Sequence, residues 1–286
     1  MDKIDYTDNI DFVTVVYKRL DFAKIIHESI KKYVNYPYKF YIVNNGDNSE
    51  HSTELAKLRE MFIDDHNVII VPGIQQVNSD DGIYFPAKSG QKYSQQYYID
   101  NYGFDGRAKY DGRILGFASW LQSEAMTKGA KLGSGKYVCH IEHDCVMLNN
   151  WVDEILPLLE SNVFVSYAWR DDHPAAMACQ WSIIKRDTID NEFYKEPGDL
   201  YPNCDYKDTY GLITLWASEN ELPFHICENS EQSKVLRSQH ALDVPYGTEG
   251  FINGKAFVHH GGRGATRSDG YYQSWIAATS RYLGIE

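Results

Sequence analysis

The sequence predicts an α/β fold with a mostly parallel central sheet flanked by helices. Three features carry this: unbroken β-branched apolar runs, helical-period stripes between them, and turns rich in Asn, Asp and Gly after the strands. At 286 residues the chain is long enough for one large domain with a well-buried core.

Phe12-Val13-Thr14-Val15-Val16-Tyr17 is continuous and apolar, which is how a strand buried on both faces reads. Asp21 is the expected N-cap of a helix whose stripe is Phe22, Ile25, Ile26, Ile30 and Tyr33, closed by Pro37. Phe40–Val43 is the second strand, Ser52 to Phe62 the second helix and Val68–Val71 the third strand. The order βαβαβ begins a doubly wound sheet, in which ligands sit beyond the carboxyl ends of the strands. Tyr17, Asn45 and Asp47 lie at those ends.

Residues 72–112 hold glycines, glutamines and six tyrosines without sustained period, and are expected to be a functional or mobile loop lacking regular structure. A helix resumes from Arg113 to Lys131, Gly133-Ser134-Gly135 ends it, and Lys136–Ile141 is the next strand. Trp151 to Leu159 reads as a helix, Val163–Tyr167 and Trp181–Ile184 as strands, Asp208 to Asn220 as a helix and Phe224–Cys227 as a strand. Strand Ala256–His259 and a helix near Tyr271 to Leu283 close the chain. No repeat, low-complexity tract or linker marks a domain boundary.

A formal net charge of −12 opposes binding to nucleic acid or anionic lipid, and an anionic substrate would need a cation or a local basic patch. Cys139, Cys145, Cys179, Cys204 and Cys227 are odd in number and contain no CxxC pair, which suits a reducing cytosol better than a disulfide framework. No apolar run approaches the roughly 20 residues of a bilayer span, and the start is too polar for a signal peptide. A cytoplasmic protein is the expectation. The 22 tyrosines and 6 tryptophans suit packed cores and also surfaces that stack on sugars.

Three constellations can carry chemistry. Glu142-His143-Asp144 leaves a strand end with two carboxylates able to reach one hard cation, and a Mg²⁺ or Mn²⁺ there can bridge to a diphosphate. Val258-His259-His260-Gly261-Gly262-Arg263-Gly264-Ala265-Thr266-Arg267 carries imidazoles into a glycine-rich loop beside two arginines, a pattern suited to Mn²⁺ and phosphate. Asp205-Tyr206-Lys207-Asp208 opens a helix, where a carboxylate either steadies the helix dipole or acts as a general base.

The opening Val13–Arg19, the turn Ile42–Ser49, the stretch Gly133–Tyr137 and the Glu142-His143-Asp144 triplet follow one another as in GT-A glycosyltransferases of the large inverting class. The chain resembles that family over residues 11–265. The resemblance implies a single GT-A, Rossmann-like domain over 1–286, with about 11–145 binding a nucleotide-sugar and about 146–286 forming the acceptor-side, catalytic half. It implies nucleoside contacts from Val16, Tyr17, Asn45 and Asp47, and phosphate contacts from Arg113, Arg263 and Arg267, with the Glu142-His143-Asp144 triplet facing the donor. Asp144 would be the metal ligand, with Glu142 in the first acidic place and His259 or His260 as the distant histidine. Mn²⁺ or Mg²⁺ is the implied cofactor. Asp208, with Asp205 in reserve, would be the base for an inverting transfer of a hexose or pentose from a donor such as a UDP-sugar to a glycan or other hydroxyl acceptor.

Two other readings compete. A nucleotidyltransferase would share the sheet and carboxylates, but Tyr17-Lys18-Arg19-Leu20-Asp21 lacks the glycines its first loop uses. A noncatalytic glycan-binding protein would draw on the tyrosines of 72–112. A zinc site from His140, Glu142 and His143 is weaker still, because strand alternation sends the two histidines to opposite faces.

Overall fold

Ten strands join in one sheet in the computed structural model, which describes residues 6–17, 19–45, 53–73, 77–79, 82–86, 92–94, 117–167, 180–190, 217, 220–230, 234–244, 247–261 and 269–285. The strands of that sheet are β1 (Thr7–Val16), β2 (Tyr38–Asn44), β3 (Val68–Pro72), β7 (Gly135–Ile141), β8 (Cys145–Met147), β9 (Phe164–Tyr167), β10 (Trp181–Lys185), β11 (His225–Asn229), β12 (Thr248–Ile252) and β13 (Lys255–His260). Their order is β3-β2-β1-β7-β10-β9-β11-β12-β13-β8. From β3 to β7 every neighbour is parallel, and beyond β7 antiparallel pairs dominate. The α/β class with helices flanking a large central sheet is therefore as the sequence predicts, with the sheet mixed in its second half.

Both faces of the parallel half are covered. Phe12, Val16, Phe40, Ile42, Cys139 and Ile141 pack with Ala23, Ile26 and Ile30 of helix α1 (Asp21–Tyr33), joined by Leu58 of α2 (Thr53–Met61). On the other face Val13, Val15, Tyr41, Val43 and Val138 meet Ala125, Met126 and Ala130 of α3 (Phe117–Leu132). Gly129 lets α3 approach closely, since a Cβ there would lie 2.6 Å from the Val13 side chain and 2.9 Å from Val43. The outer side of α1 (Phe22, Ile25) packs with Val146 and Leu148 and with Tyr272, Trp275 and Ala278 of the last helix, Asp269–Leu283.

Several local expectations change. Asp21 is the first helical residue, Leu20 holds the N-cap position, and no side chain caps the end. The helix expected over Trp151 to Leu159 is two short pieces, α4 (Val152–Ile155) and α5 (Leu158–Ser161), because Pro157 between them has no N–H to donate and its ring clashes with the preceding turn. Within 72–112 a small antiparallel sheet forms from β4 (Val77–Ser79), β5 (Gly82–Pro86) and β6 (Lys92–Ser94). These strands are three to five residues long, too short to establish a period. The helix expected at Asp208 to Asn220 falls almost entirely outside the described residues. Two further short helices, α6 (Arg186–Asp190) and α7 (Lys234–Arg237), precede the last, α8.

A buried ion pair ties the amino end of β7 to its surroundings. Arg186 donates to Asp11 Oδ2 at 2.6 Å, to the Ala130 carbonyl of α3 at 2.7 Å and, through Nε, to the Gly135 carbonyl. Asp11 also accepts the Gly135 N–H and the Asn9 amide, each at 2.7 Å. Arg186 and Asp11 are 3% and 1% exposed, so neither could be left unpaired without a buried charge. Arg186→Met should destabilise the fold by about 3–5 kcal/mol in urea unfolding, and a cost under about 1 kcal/mol would mean that the pair is dispensable.

His140, on β7, is fully buried, and its pKa is pushed down to about 3 by burial first and by the Arg186 guanidinium second. The folded state therefore refuses a proton that the unfolded chain accepts below about pH 6.5. Stability from the neutral ring is complete above that pH and is lost at up to about 1.4 kcal/mol per unit as the pH falls towards 3. Thermal melts at pH 7.5 and 5.5 should differ less for His140→Leu than for the native chain; equal differences would count against this account.

Candidate functional site

Parallel pairing puts the carboxyl ends of β1, β2, β3 and β7 along one edge. Val13 pairs with His140, so Val16 lies as far along β1 as His143 lies beyond its partner. The ends are tied to one another: Asn45 N–H donates to the Val16 carbonyl and Gly73 N–H to the Asn44 carbonyl, each at 2.8 Å, and Lys128 of α3 donates to the Gly73 carbonyl at 2.9 Å. Gly73 must lack a side chain, because a Cβ would lie 2.3 Å from the Asn44 carbonyl oxygen and 2.8 Å from Asn45 Oδ1. Val16 is buried, while Tyr17 is 45% exposed on this edge.

Beyond β7 the chain makes a tight turn. Glu142 N–H donates to the Gln180 carbonyl at 2.9 Å, Cys145 N–H returns to the Glu142 carbonyl at 3.1 Å, and the Cys145 thiol donates to the same Gln180 carbonyl at 3.0 Å. Gly261 N–H holds the Asp144 carbonyl at 2.8 Å, which brings the end of β13 onto this turn. His260 then reaches both acids: its Nε2 lies 3.0 Å from Glu142 Oε2 and 3.2 Å from Asp144 Oδ1. The second oxygen of Glu142 accepts the Gln122 amide of α3 at 2.9 Å.

Electrostatics follows from that convergence. Burial works against the imidazolium, yet Asp144 and Glu142 together outweigh it and push His260 up to about 10. Burial likewise favours the neutral acid at Glu142, but the His260 hydrogen bond and charge overcome it and hold the carboxyl below its usual range. Oxygen, nitrogen and sulfur donors of Asp144, His260 and Cys145 lie within 4.8 Å of one another. Two carboxylates and an imidazole converging in a buried turn form a donor set that fits a divalent cation.

The two adjacent histidines part company here. His259 is on the opposite face of β13, where its Nδ1 lies 3.4 Å from Glu249 Oε1 of β12. Glu249 is wholly buried and also accepts the Ala241 N–H at 3.1 and 3.0 Å and the Leu242 N–H at 3.0 Å. His259 thus braces the carboxylate that holds Ala241 and Leu242, and burial pushes its pKa down. His143 packs its ring 5.3 Å from Phe22, within a group that includes Tyr272 and Trp275, and Arg19 lies 4.1 Å over the Tyr272 ring.

Among the residues singled out from sequence, the structure brings Glu142, Asp144 and His260 together and sets Val16, Tyr17 and Asn45 along the same sheet edge. Asp47, Arg113, Asp205, Asp208, Arg263 and Arg267 lie outside the described residues. Gln122, Cys145 and Glu249 join or support the cluster without having been expected there. Only Cys145, adjacent to Asp144, offered a signal. Cys139, Cys145 and Cys227 are free and buried. No helix among the described residues is long and apolar enough to cross a membrane.

No family model matches the chain, and no curated protein matches it. Among solved structures it is similar to the glycosyltransferase GlyE of Streptococcus pneumoniae TIGR4, with 10% identity and a TM-score of 0.49 over 97% of this chain and 63% of that one. The apo form of GlyE gives 10% identity and a TM-score of 0.47 over 97% and 62%. Mouse xyloside xylosyltransferase 1, also without ligand, gives 9% identity and a TM-score of 0.43 over 76% and 84%. The chain spans less than two thirds of the length of GlyE.

Gly247, whose φ is +95°, runs over the two histidines, and a Cβ there would lie 2.4 Å from the His260 carbonyl oxygen and 2.6 Å from His259 Nε2. Gly247→Ala should therefore lower stability by about 1–3 kcal/mol through backbone strain and crowding. An unchanged melting temperature would show that the segment can shift freely.

Proposed function

We propose that this chain is a metal-dependent glycosyltransferase that moves a sugar from a nucleoside-diphosphate donor, with a UDP-sugar the first candidate, to a hydroxyl of a glycan or other acceptor. The observation that carries the proposal is the meeting of Glu142, Asp144 and His260 at the carboxyl edge of parallel strands, within 3.0–3.2 Å, in a protein of net charge −12. A cation held there would let an acidic protein accept a diphosphate. Asp144, Glu142 and His260 would hold Mn²⁺ or Mg²⁺, which would offset the charge of the donor diphosphate.

The remaining roles fall to the chain's own groups. Tyr17 offers an exposed ring at the end of β1 and Asn45 a polar side chain at the end of β2, both suited to a nucleoside. Asp47 is a further candidate for the nucleoside, and Arg113, Arg263 and Arg267 supply guanidinium donors for phosphate oxygens. Asp208, with Asp205 in reserve, takes the acceptor hydroxyl proton as that oxygen attacks the anomeric carbon and the bond to the nucleoside diphosphate breaks, inverting the centre. About 11–145 holds the donor and about 146–286 the acceptor. A reducing cytosol is the proposed setting, supported by the free thiols of Cys139, Cys145 and Cys227.

Calorimetry should detect UDP binding that requires Mn²⁺ and is lost in Asp144→Asn. Asp208→Asn should keep that binding while turnover drops about 10²–10⁴-fold. UDP binding indifferent to Mn²⁺, or near-normal turnover in Asp208→Asn, would sink the corresponding part of the proposal.

A further inference from the structure

We infer that Cys145 is a further donor of the Glu142, Asp144 and His260 cluster, recruited by a thiophilic divalent cation of the Zn²⁺ or Co²⁺ class. The inference rests on the cation-binding reading above and goes beyond it in assigning a sulfur ligand and hence a metal preference. Cys145 opens β8 and pairs directly with His260 on β13, so the two side chains leave the sheet on the same side. Its sulfur, an Asp144 oxygen and a His260 nitrogen lie within 4.8 Å of one another. Donors bound at about 2.0–2.3 Å to one tetrahedral ion lie about 3.3–3.8 Å apart, so side-chain rotations that draw the three atoms together by up to about 1 Å close the set.

The thiol can be released at little cost to its surroundings. It donates to the Gln180 carbonyl at 3.0 Å, and that carbonyl also accepts the Glu142 N–H at 2.9 Å, so it keeps a partner when the sulfur turns to a metal. On binding, the S–H bond breaks, a metal–sulfur bond forms and the proton leaves to solvent. The imidazole nitrogen of His260 gives up its proton likewise, and no oxidant is involved. Adding a soft donor to oxygen and nitrogen shifts preference from Mg²⁺ towards Zn²⁺ and Co²⁺.

Titration of the folded full chain with Co²⁺ tests this. A saturable sulfur-to-cobalt charge-transfer band is expected in the native chain, absent from both Cys145→Ser and Cys145→Ala. Zn²⁺ binding should weaken more than about 100-fold in these variants, beyond the roughly 10–100-fold typical of losing an outer-shell partner, while Mn²⁺ binding is unchanged. Co²⁺ binding that gives no sulfur band, or a band that survives in the Cys145 variants, would overturn the sulfur assignment. If that binding is still lost in Asp144→Asn, the cation site itself stands. No binding of Co²⁺, Zn²⁺ or Mn²⁺ to the native chain would overturn both. The first readout is taken on the native chain, so poor folding of a variant leaves it decisive.

Discussion

Asp11 and Arg186 are a charge pair that cannot be hydrated, and the placement of the parallel strands depends on how completely they satisfy each other. Burying either ion alone would cost several kcal/mol, so the carboxylate must meet its guanidinium and both must fill their remaining hydrogen bonds. They do so with backbone: Gly135 on β7 supplies an N–H and a carbonyl, and Ala130 supplies a carbonyl from the last turn of α3. One side chain from β1 and one from the start of α6 thus fix the start of β7 and the end of α3. Gly133 and Gly135 make room, since a Cβ at either would lie within 2.7 Å of Asp11. With its start pinned to β1, β7 can deliver Glu142 only to the edge where Val16 and Asn45 end.

At that edge the problem is reversed. Glu142 and Asp144 bring two like charges into a turn where their side chains are 15% and 3% exposed, and such a turn is stable only against a cation. His260 supplies positive charge there, and the two acids push its pKa up against the effect of burial. A divalent cation would meet the same requirement with more charge. The antiparallel β12–β13–β8 group exists structurally to carry His260 there, because β13 pairs with the short strand that follows the acidic turn.

How far the sequence discloses this depends on whether a feature is local. The first βαβαβ unit is legible because β1, β2 and β3 are apolar runs and α1 carries a clear stripe. The acidic triplet is legible because all its members share one turn. Arg186 is not, since Lys185-Arg186-Asp187 reads as a solvated end to a strand, and only the distant Asp11 makes it a core residue. β12 is hidden for a similar reason: Glu249 and Gly250 interrupt its apolar character, and the carboxylate is tolerable only because Ala241, Leu242 and His259 surround it.

The choice between His259 and His260 has the same origin. Alternation along a strand guarantees that adjacent side chains face opposite ways, so one histidine at most can reach the acids, but the rule does not say which. Pairing decides it. His260 lies opposite Cys145, next to Asp144, while His259 lies opposite Glu249 on one side and Val146 on the other. Each imidazole therefore meets a carboxylate, with different consequences. Glu249 is also occupied by two backbone N–H groups, so His259 serves to hold a loop. Asp144 and Glu142 converge on His260 from one turn, so this imidazole joins the acidic turn to the end of β13.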